Sequence, residues 1–510
     1  MRPPTPRNRT AAATVIRLLV PAIFLLHAAV STATAADHFL AIGGGNAPSN
    51  TQVSLEKNIL FFRDALSTLG LASAPQQVLF ADGNGNADDV QFAAGEDQTP
   101  EANRRLADVF SGDDADSNQY RPHAIPDVWG PAQRESLDKW FDTIGKTIPD
   151  GDRLILYYTG HGGPGESPTN TTLALWNEQG LTVKSLTRML DRLRPGVSVV
   201  LVMVQCFSGG FANVIYQDAD PTRGLSDRNR CGFFATTSDR EAAGCTPDID
   251  LEDYREYSTY FWAALCGHTR TGKPVVKPDF LADGHIGLSE AHAYTLIHSE
   301  TIDIPVTTSD AFLRQFSRLA TDPADGLMSS AAPYDQLIKS ADPPHRAVLD
   351  GLSQALALSK PDRLLEAQKL ADDLTQRRSD IEQRQRRLTR SIRTLRDIAQ
   401  SVLQSRWPAL ANPTSAAAQQ TISSQGPQIV AMLHSSISYD HLRAALDQSD
   451  KLDDDDLNLE RQWVKCQRFI NTAESVALAA NVPAVCSPEL QQRYHRLIAA
   501  ENAALAQTPR

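Results

Sequence analysis

Past Val30 the chain has no apolar run long enough to cross a bilayer, which takes about 20 residues, so its body holds no integral membrane segment. No GxGxxG and no Walker lysine follow the first glycine-rich turn, Gly43-Gly44-Gly45-Asn46-Ala47-Pro48, which argues against nucleotide binding there. There is no HExxH, and none of the six cysteines falls in a CxxC pair, so the common zinc arrangements are missing. Positive charge is short as well. The 49 Lys and Arg against 61 Asp and Glu leave a net charge of −12, a poor match for nucleic acid. Glycine nearly vanishes after about Pro344, where Gln, Arg, Leu and Ala dominate.

What is present starts with a leader. Arg2, Arg7 and Arg9 form a basic stretch, Leu18 to Val30 is apolar, and Ala33-Thr34-Ala35 is a small-x-small cleavage site. Residues 1–36 therefore read as a signal peptide, and the protein as exported, periplasmic or secreted. Export permits disulfides. Cys466 with Cys486 is the first candidate pair and Cys231 with Cys245 the second, leaving Cys266 and Cys206 unpaired. At 510 residues the chain should hold more than one domain.

Two stretches carry the chemistry. Leu154-Ile155-Leu156-Tyr157-Tyr158-Thr159 runs into Gly160-His161-Gly162-Gly163, and Val199-Val200-Leu201-Val202-Met203-Val204 runs into Gln205-Cys206-Phe207-Ser208-Gly209-Gly210. Short β-branched runs bounded by glycine read as buried parallel strands. Ligands in an open α/β sheet bind beyond the carboxyl ends of the strands. A His and a Cys ending successive strands could thus share a crevice, where an imidazole can take the proton of a thiol nucleophile.

Around them, Phe39–Ile42, Gln77–Ala81 and Phe233–Thr237 read as further strands, and Asn58–Leu69, Pro131–Ile144, Thr182–Leu193, Ser258–Leu265 and Ala291–Ser299 as helices. Leu173–Trp176 reads as a hairpin arm, and Thr99–Gly130 as a polar surface insertion overhanging the cleft. The α/β domain is expected over 37–325, a linker over 326–345 and an α-helical region over 346–510. In that last region Ala367, Leu374, Ile381, Leu388, Leu395 and Val402 recur every seventh residue, a coiled-coil or hairpin seam. The companion positions mix Ala371 and Ile392 with Arg378 and Gln385, which favours an antiparallel hairpin within the chain. Asp453–Asp456 reads as a solvated charge run.

Two loops invite a cation. Asp82-Gly83-Asn84-Gly85-Asn86-Ala87-Asp88-Asp89 starts like a calcium loop but lacks its later Gly and Glu, and reads as a solvated turn. Asp279-Phe280-Leu281-Ala282-Asp283-Gly284 through Glu290 keeps more of the register, making Asp279, Asp283 and Glu290 candidate Ca²⁺ ligands. The alternative is a turn in which Glu290 caps the next helix. No cofactor is required by any other feature.

Tyr157-Tyr158-Thr159-Gly160-His161-Gly162 and Gln205-Cys206-Phe207-Ser208-Gly209 resemble the His-Gly and x-Cys-x-Ser-Gly motifs of the caspase/legumain clan of cysteine peptidases. Ala235–Cys245 and Ser258–Phe261 look like bacterial legumain-type members. The resemblance spans roughly residues 38–320 and stops before the helical region. It implies a caspase-like doubly wound, mostly parallel sheet with helices on both faces. His161 would be the base, Cys206 the nucleophile, and the backbone N–H groups of Gly162 and Cys206 the oxyanion hole. Asn46 would steady the imidazole, and Asp239 with Glu241 could form an acidic pocket for a basic side chain. The sequence departs from legumains at Gly160, where they carry Asp.

The expected function is cleavage of a protein or peptide through an acyl-thioester. An amine acceptor would turn the same chemistry into transpeptidation. A different class is a non-catalytic scaffold that binds a protein partner through its C-terminal helices.

Overall fold

The computed structural model describes residues 1, 35–93, 99–110, 118–244 and 255–506. Residues 35–510 form one compact unit, and residues 1–34 a separate one that lies, apart from Met1, outside the described residues. The leader and Cys245 fall outside them too.

Strand β1 (Asp37–Gly44) is followed by helix α1 (Val53–Thr68) and strand β2 (Gln76–Phe80). Next come a two-stranded arm, β3 (Val90–Ala93) and β4 (Asn118–Arg121), with α2 (Glu101–Phe110) between its strands, then α3 (Arg134–Trp140) and β5 (Arg153–Gly160). A small antiparallel sheet of β6 (Gly162–Gly163), β7 (Thr172–Leu175) and β8 (Gln179–Thr182) precedes α4 (Val183–Leu190), which crosses to β9 (Ser198–Met203). After β10 (Arg230–Phe234), α5 (Tyr257–Cys266) and α6 (Leu288–His298), the short β11 (Val306–Thr307) leads into α7 (Thr308–Phe316).

The main sheet has the order β11-β10-β9-β5-β1-β2, and only β11 runs antiparallel. Its strands read as continuous apolar runs because both faces are covered. Phe39, Ala41, Ile155, Tyr157, Val200 and Val202 face one core, with Phe62 and Trp262. Leu40, Ile42, Leu154, Leu156, Leu201 and Met203 face the other, with Trp140 and Leu186. The fold is α/β with helices on both faces, as expected. Since β2 lies on one side of β1 and β5 on the other, the order switches between β1 and β5, and a crevice opens at such a point.

The C-terminal helices are α8 (Tyr334–Ser340), α9 (Pro343–Ala355), α10 (Arg363–Arg406), α11 (Ala416–His434), α12 (Ile437–Val485) and α13 (Pro488–Asn502). Helices α10 and α12 pair antiparallel. Leu374 and Ile381 meet Leu452, Leu459 and Cys466, themselves seven residues apart. The polar seam positions have partners. Arg378 binds Asp456 at 2.9 Å and Glu460 at 3.0 Å, and Gln385 donates to Asp453. Part of the acidic run is therefore spent on the helix pair rather than solvated.

One other expectation is corrected. Cys466 and Cys486 are both free thiols. One lies within the continuous helix α12 and the other caps it, and 20 residues of helix span about 30 Å, too far for a disulfide. Within the Thr99–Gly130 insertion, α2 docks on the helical region. There α2 lends Leu106 and Val109 to a core with Leu403 and Leu433, and Tyr439 donates to Asp108 at 2.6 Å. The expected linker contains α8, with Leu337 buried.

The helical region also enters the core of the α/β part. Leu478, Val482, Tyr494 and Leu497 pack with Leu288 and Phe312. Arg468 of α12, only 1% exposed, donates to the carbonyls of Asp303 (2.8 Å), Ser299 (2.8 Å), Thr301 (3.1 Å) and Leu296 (3.2 Å). Burial pushes its pKa down to about 10, against the pull of Asp303 and Glu300. Among the described residues no helix is long and apolar enough to cross a membrane. Arg468→Leu strips the donors from these buried carbonyls and is expected to cost on the order of 3 kcal/mol in urea unfolding. A chain ending at Ala341 is expected to lose the cooperative melt; a full-length-like melt in both variants would contradict a shared core.

Candidate active site

Strands β5 and β9 pair in parallel with Tyr158 opposite Met203, and the Val204 N–H continues the ladder to the Tyr158 carbonyl at 3.1 Å. Both strands therefore end at one level, and His161 and Cys206 leave the same carboxyl edge. Their backbones touch: a Cβ added at Gly162 would collide with the Cys206 carbonyl oxygen, so this position needs glycine. Gly160 is as confined, since a Cβ there would strike the Gly44 carbonyl and the Tyr158 hydroxyl. That is why this chain cannot carry Asp before its His. The Tyr158 hydroxyl also donates to the His161 carbonyl at 2.8 Å, holding the turn.

The half-buried imidazole is held from the β1 side. Its Nε2 lies 2.9 Å from the Asn50 carbonyl oxygen and 2.9 Å from Gln52 Oε1. A carbonyl only accepts, so Nε2 carries the proton and Nδ1 keeps its lone pair. Burial holds His161 below the usual histidine range, partly offset by the Asn50 bond. The ring is thus a neutral base at pH 7.

Cys206 is held from the other side, by the loop after β10. Its Sγ accepts the Ala242 N–H at 3.3 Å and lies 3.8 Å from the Ala242 carbonyl. Burial raises its pKa, Ala242 opposes the rise, and the charges of Glu241 and Asp303 add to it. The resting sulfur is a thiol, not a thiolate. The two side chains make no hydrogen bond to each other.

Next to Cys206, Phe207 has φ 59°, left-handed for a residue with a Cβ. Its backbone is pinned on both sides: N–H to the Arg240 carbonyl at 2.8 Å, and carbonyl to Thr171 Oγ1 at 3.0 Å. Gln205, 1% exposed, has neither amide atom hydrogen-bonded.

The loop carrying Ala242 is fastened to the helical region. Arg240 reaches Glu460 at 2.9 Å and lies over the Trp463 ring, and the Ala243 N–H donates to Asp303 at 2.7 Å. Arg468 orders the Asp303 segment from behind. Sequence reasoning assigned no chemistry to the helices, yet they brace the loop that holds the thiol.

The remaining candidates fare differently. Asn46 lines the crevice at the β1/β5 switch with Asn50, His161, Gly162 and Glu178, but it does not touch the imidazole. Its amide donates to Glu178 at 2.8 Å and accepts from Asn50 at 2.7 Å. The imidazole is held instead by the Asn50 backbone carbonyl and the Gln52 side chain, neither of which a motif reveals. Asp239 and Glu241 are exposed on the loop beside the thiol, and Asp239 accepts the Thr237 hydroxyl at 2.6 Å. The carboxylates of Asp279, Asp283 and Glu290 accept backbone N–H groups instead of converging. Asp279 takes Asp283 and Gly284 (3.1 Å each), Asp283 takes His285 (2.9 Å), and Glu290 takes Leu281 (2.7 Å) and Gly287 (2.8 Å). Glu290 caps α6, the alternative weighed above.

No family model matches the chain, and no curated protein does. Among solved structures it is similar to protein GSU0716 from Geobacter sulfurreducens (12% identity, 57% of this chain and 96% of that one, TM-score 0.30). It is also similar to caspase-1 from Spodoptera frugiperda (10% identity, 54% and 86%, TM-score 0.29). TM-scores this low do not bear on what the chain does.

Because burial raises the thiol, iodoacetamide labelling of Cys206, followed by mass spectrometry, is expected to climb with pH to a midpoint above 9. A midpoint near 7 would mean a preformed thiolate and contradict this electrostatic account.

Proposed function

We propose that this protein is a cysteine-type endopeptidase in which His161 and Cys206 act together. The observation that carries the reading is the register of β5 and β9. It puts both residues at one sheet edge beside the switch point, with Nε2 of the imidazole fixed and Nδ1 free. Nδ1 takes the thiol proton as Sγ bonds to the carbonyl carbon of the substrate peptide. Negative charge moves onto the carbonyl oxygen, for which the N–H groups of Gly162 and Cys206 are the donors in this reading. The C–N bond breaks, the imidazolium proton goes to the leaving amine, and an acyl-thioester remains. Water, deprotonated by Nδ1, attacks the thioester and restores the thiol. A neutral thiol and neutral imidazole make this general-base catalysis rather than attack by a resting ion pair. The exposed carboxylates of Asp239 and Glu241, on the loop beside the thiol, favour a basic residue on the acyl side of the cleaved bond.

One observation favours a second reading, a scaffold without catalysis. In the resting structure Nε2 turns to Asn50 and Sγ to Ala242, with no bond between the two side chains. A peptide-library cleavage profile separates the readings. The processed protein is expected to cleave after Arg or Lys, and Cys206→Ala and His161→Ala to lose at least 10³-fold of that rate, the order of a whole acid–base contribution. With His161 held low and Cys206 high, kcat/KM should level off below pH 6.5 and stay flat to about pH 9. No cleavage, or cleavage untouched by Cys206→Ala, would leave the scaffold.

A further inference from the structure

The loop Asp82–Asp89 closes on itself at the carboxyl end of β2. It brings its first and last carboxylates together with His123, which lies on the segment after β4. One ligand atom from each of Asp82, Asp89 and His123 lies within 4.8 Å of the others, and among the described residues this is the one such cluster of three. Clustering alone would mean little, but these carboxylates are not solvated. Asp89 is 1% exposed, and its Oδ2 is buried without a hydrogen-bond partner. Asp82 Oδ1 is also buried and without a partner. Bare buried carboxylate oxygens are costly unless a cation or a proton satisfies them.

No basic side chain nearby does so. Arg121, whose charge reaches Asp89, is spent on Glu56 at 2.9 and 2.6 Å. The other Asp89 oxygen takes the His123 backbone N–H at 2.9 Å. Burial lifts the Asp89 carboxyl to about 6, His123 opposing and the neighbouring Asp82 adding to the rise. The ring of His123 is stacked edge-on against Phe80 at 5.3 Å. Its Nε2 lies 2.7 Å from the Gly83 carbonyl oxygen, and its Nδ1 accepts the Ile125 N–H at 3.2 Å.

We propose that Asp82, Asp89 and His123 form a binding site for a divalent cation. Two carboxylates with an imidazole suit Mn²⁺ or Zn²⁺ better than an all-oxygen ion such as Ca²⁺. Binding exchanges one of the two ring hydrogen bonds for a coordinate bond, and the other fixes the ring from outside. The site would also stiffen the support of the imidazole. Immediately after Asp89 the chain pairs with the strap beside His161, the Gln91 N–H donating to the Thr51 carbonyl at 2.8 Å. That strap supplies Asn50 and Gln52.

The test uses the full-length protein, stripped with a chelator and titrated calorimetrically with Mn²⁺, Zn²⁺ and Ca²⁺ in turn. The expected result is one equivalent of Mn²⁺ or Zn²⁺ bound, with a rise of several degrees in Tm. Asp82→Asn should abolish both, and His123→Gln should weaken binding at least 10-fold. Asp82 is only half-buried, so this variant should fold, and a melt equal to the stripped wild type verifies it. No binding of any ion, with Asp89→Asn as stable as the wild type, would mean that the carboxylates share a proton, and would overturn the site. Binding of Ca²⁺ alone, indifferent to His123→Gln, would overturn the ligand set.

Discussion

The parallel pairing of β5 with β9 is the constraint on which the rest of this structure depends. A register slip of one residue would send Tyr157 and Val202 into the opposite core, so the apolar faces lock the alignment. That alignment sets two strand ends level and delivers one imidazole and one thiol to a single edge. The glycines then let the two turns approach to backbone contact.

Around that edge, each reactive group is held by a different body of structure. The imidazole is gripped from the β1 side by Asn50 and Gln52, whose strap is in turn tied to the Asp82–Gln91 loop. The thiol is gripped from the β10 side by Ala242, and that loop is fastened through Arg240 to Glu460 and through Asp303 to Arg468. The helical region is therefore continuous with the structure that holds Cys206. It shares a core with the sheet and sets the position of the loop at the sulfur, so motion between α12 and the sheet would be felt at Cys206.

The parts legible in the sequence were those written as pattern. Apolar runs ending at glycine marked β5 and β9, and a seven-residue repeat marked the face of α10 that meets α12. Other features rest on which tertiary partner a group finds. Asn46 carries an amide that looks suited to a histidine, yet Glu178 and Asn50 claim it, and the Asn50 carbonyl with the Gln52 side chain holds the ring instead. Asp279 and Glu290 match a calcium register better than Asp82 and Asp89, but backbone N–H groups take their oxygens. Burial, which no spacing rule sees, separates the two loops. Arg378 and Gln385 looked like flaws in a seam and proved to be its polar contacts with Asp456, Glu460 and Asp453.

The central claim is that the imidazole of His161 and the sulfur of Cys206 work across one groove. Its most direct test is cross-linking with 1,3-dibromoacetone, which bridges a thiol and an imidazole nitrogen only when they share a pocket. The account predicts a Cys206–His161 cross-link through Nδ1 in tandem mass spectra, absent after His161→Ala. Mono-alkylated Cys206 alone, in a folded protein with His161 intact, would contradict it.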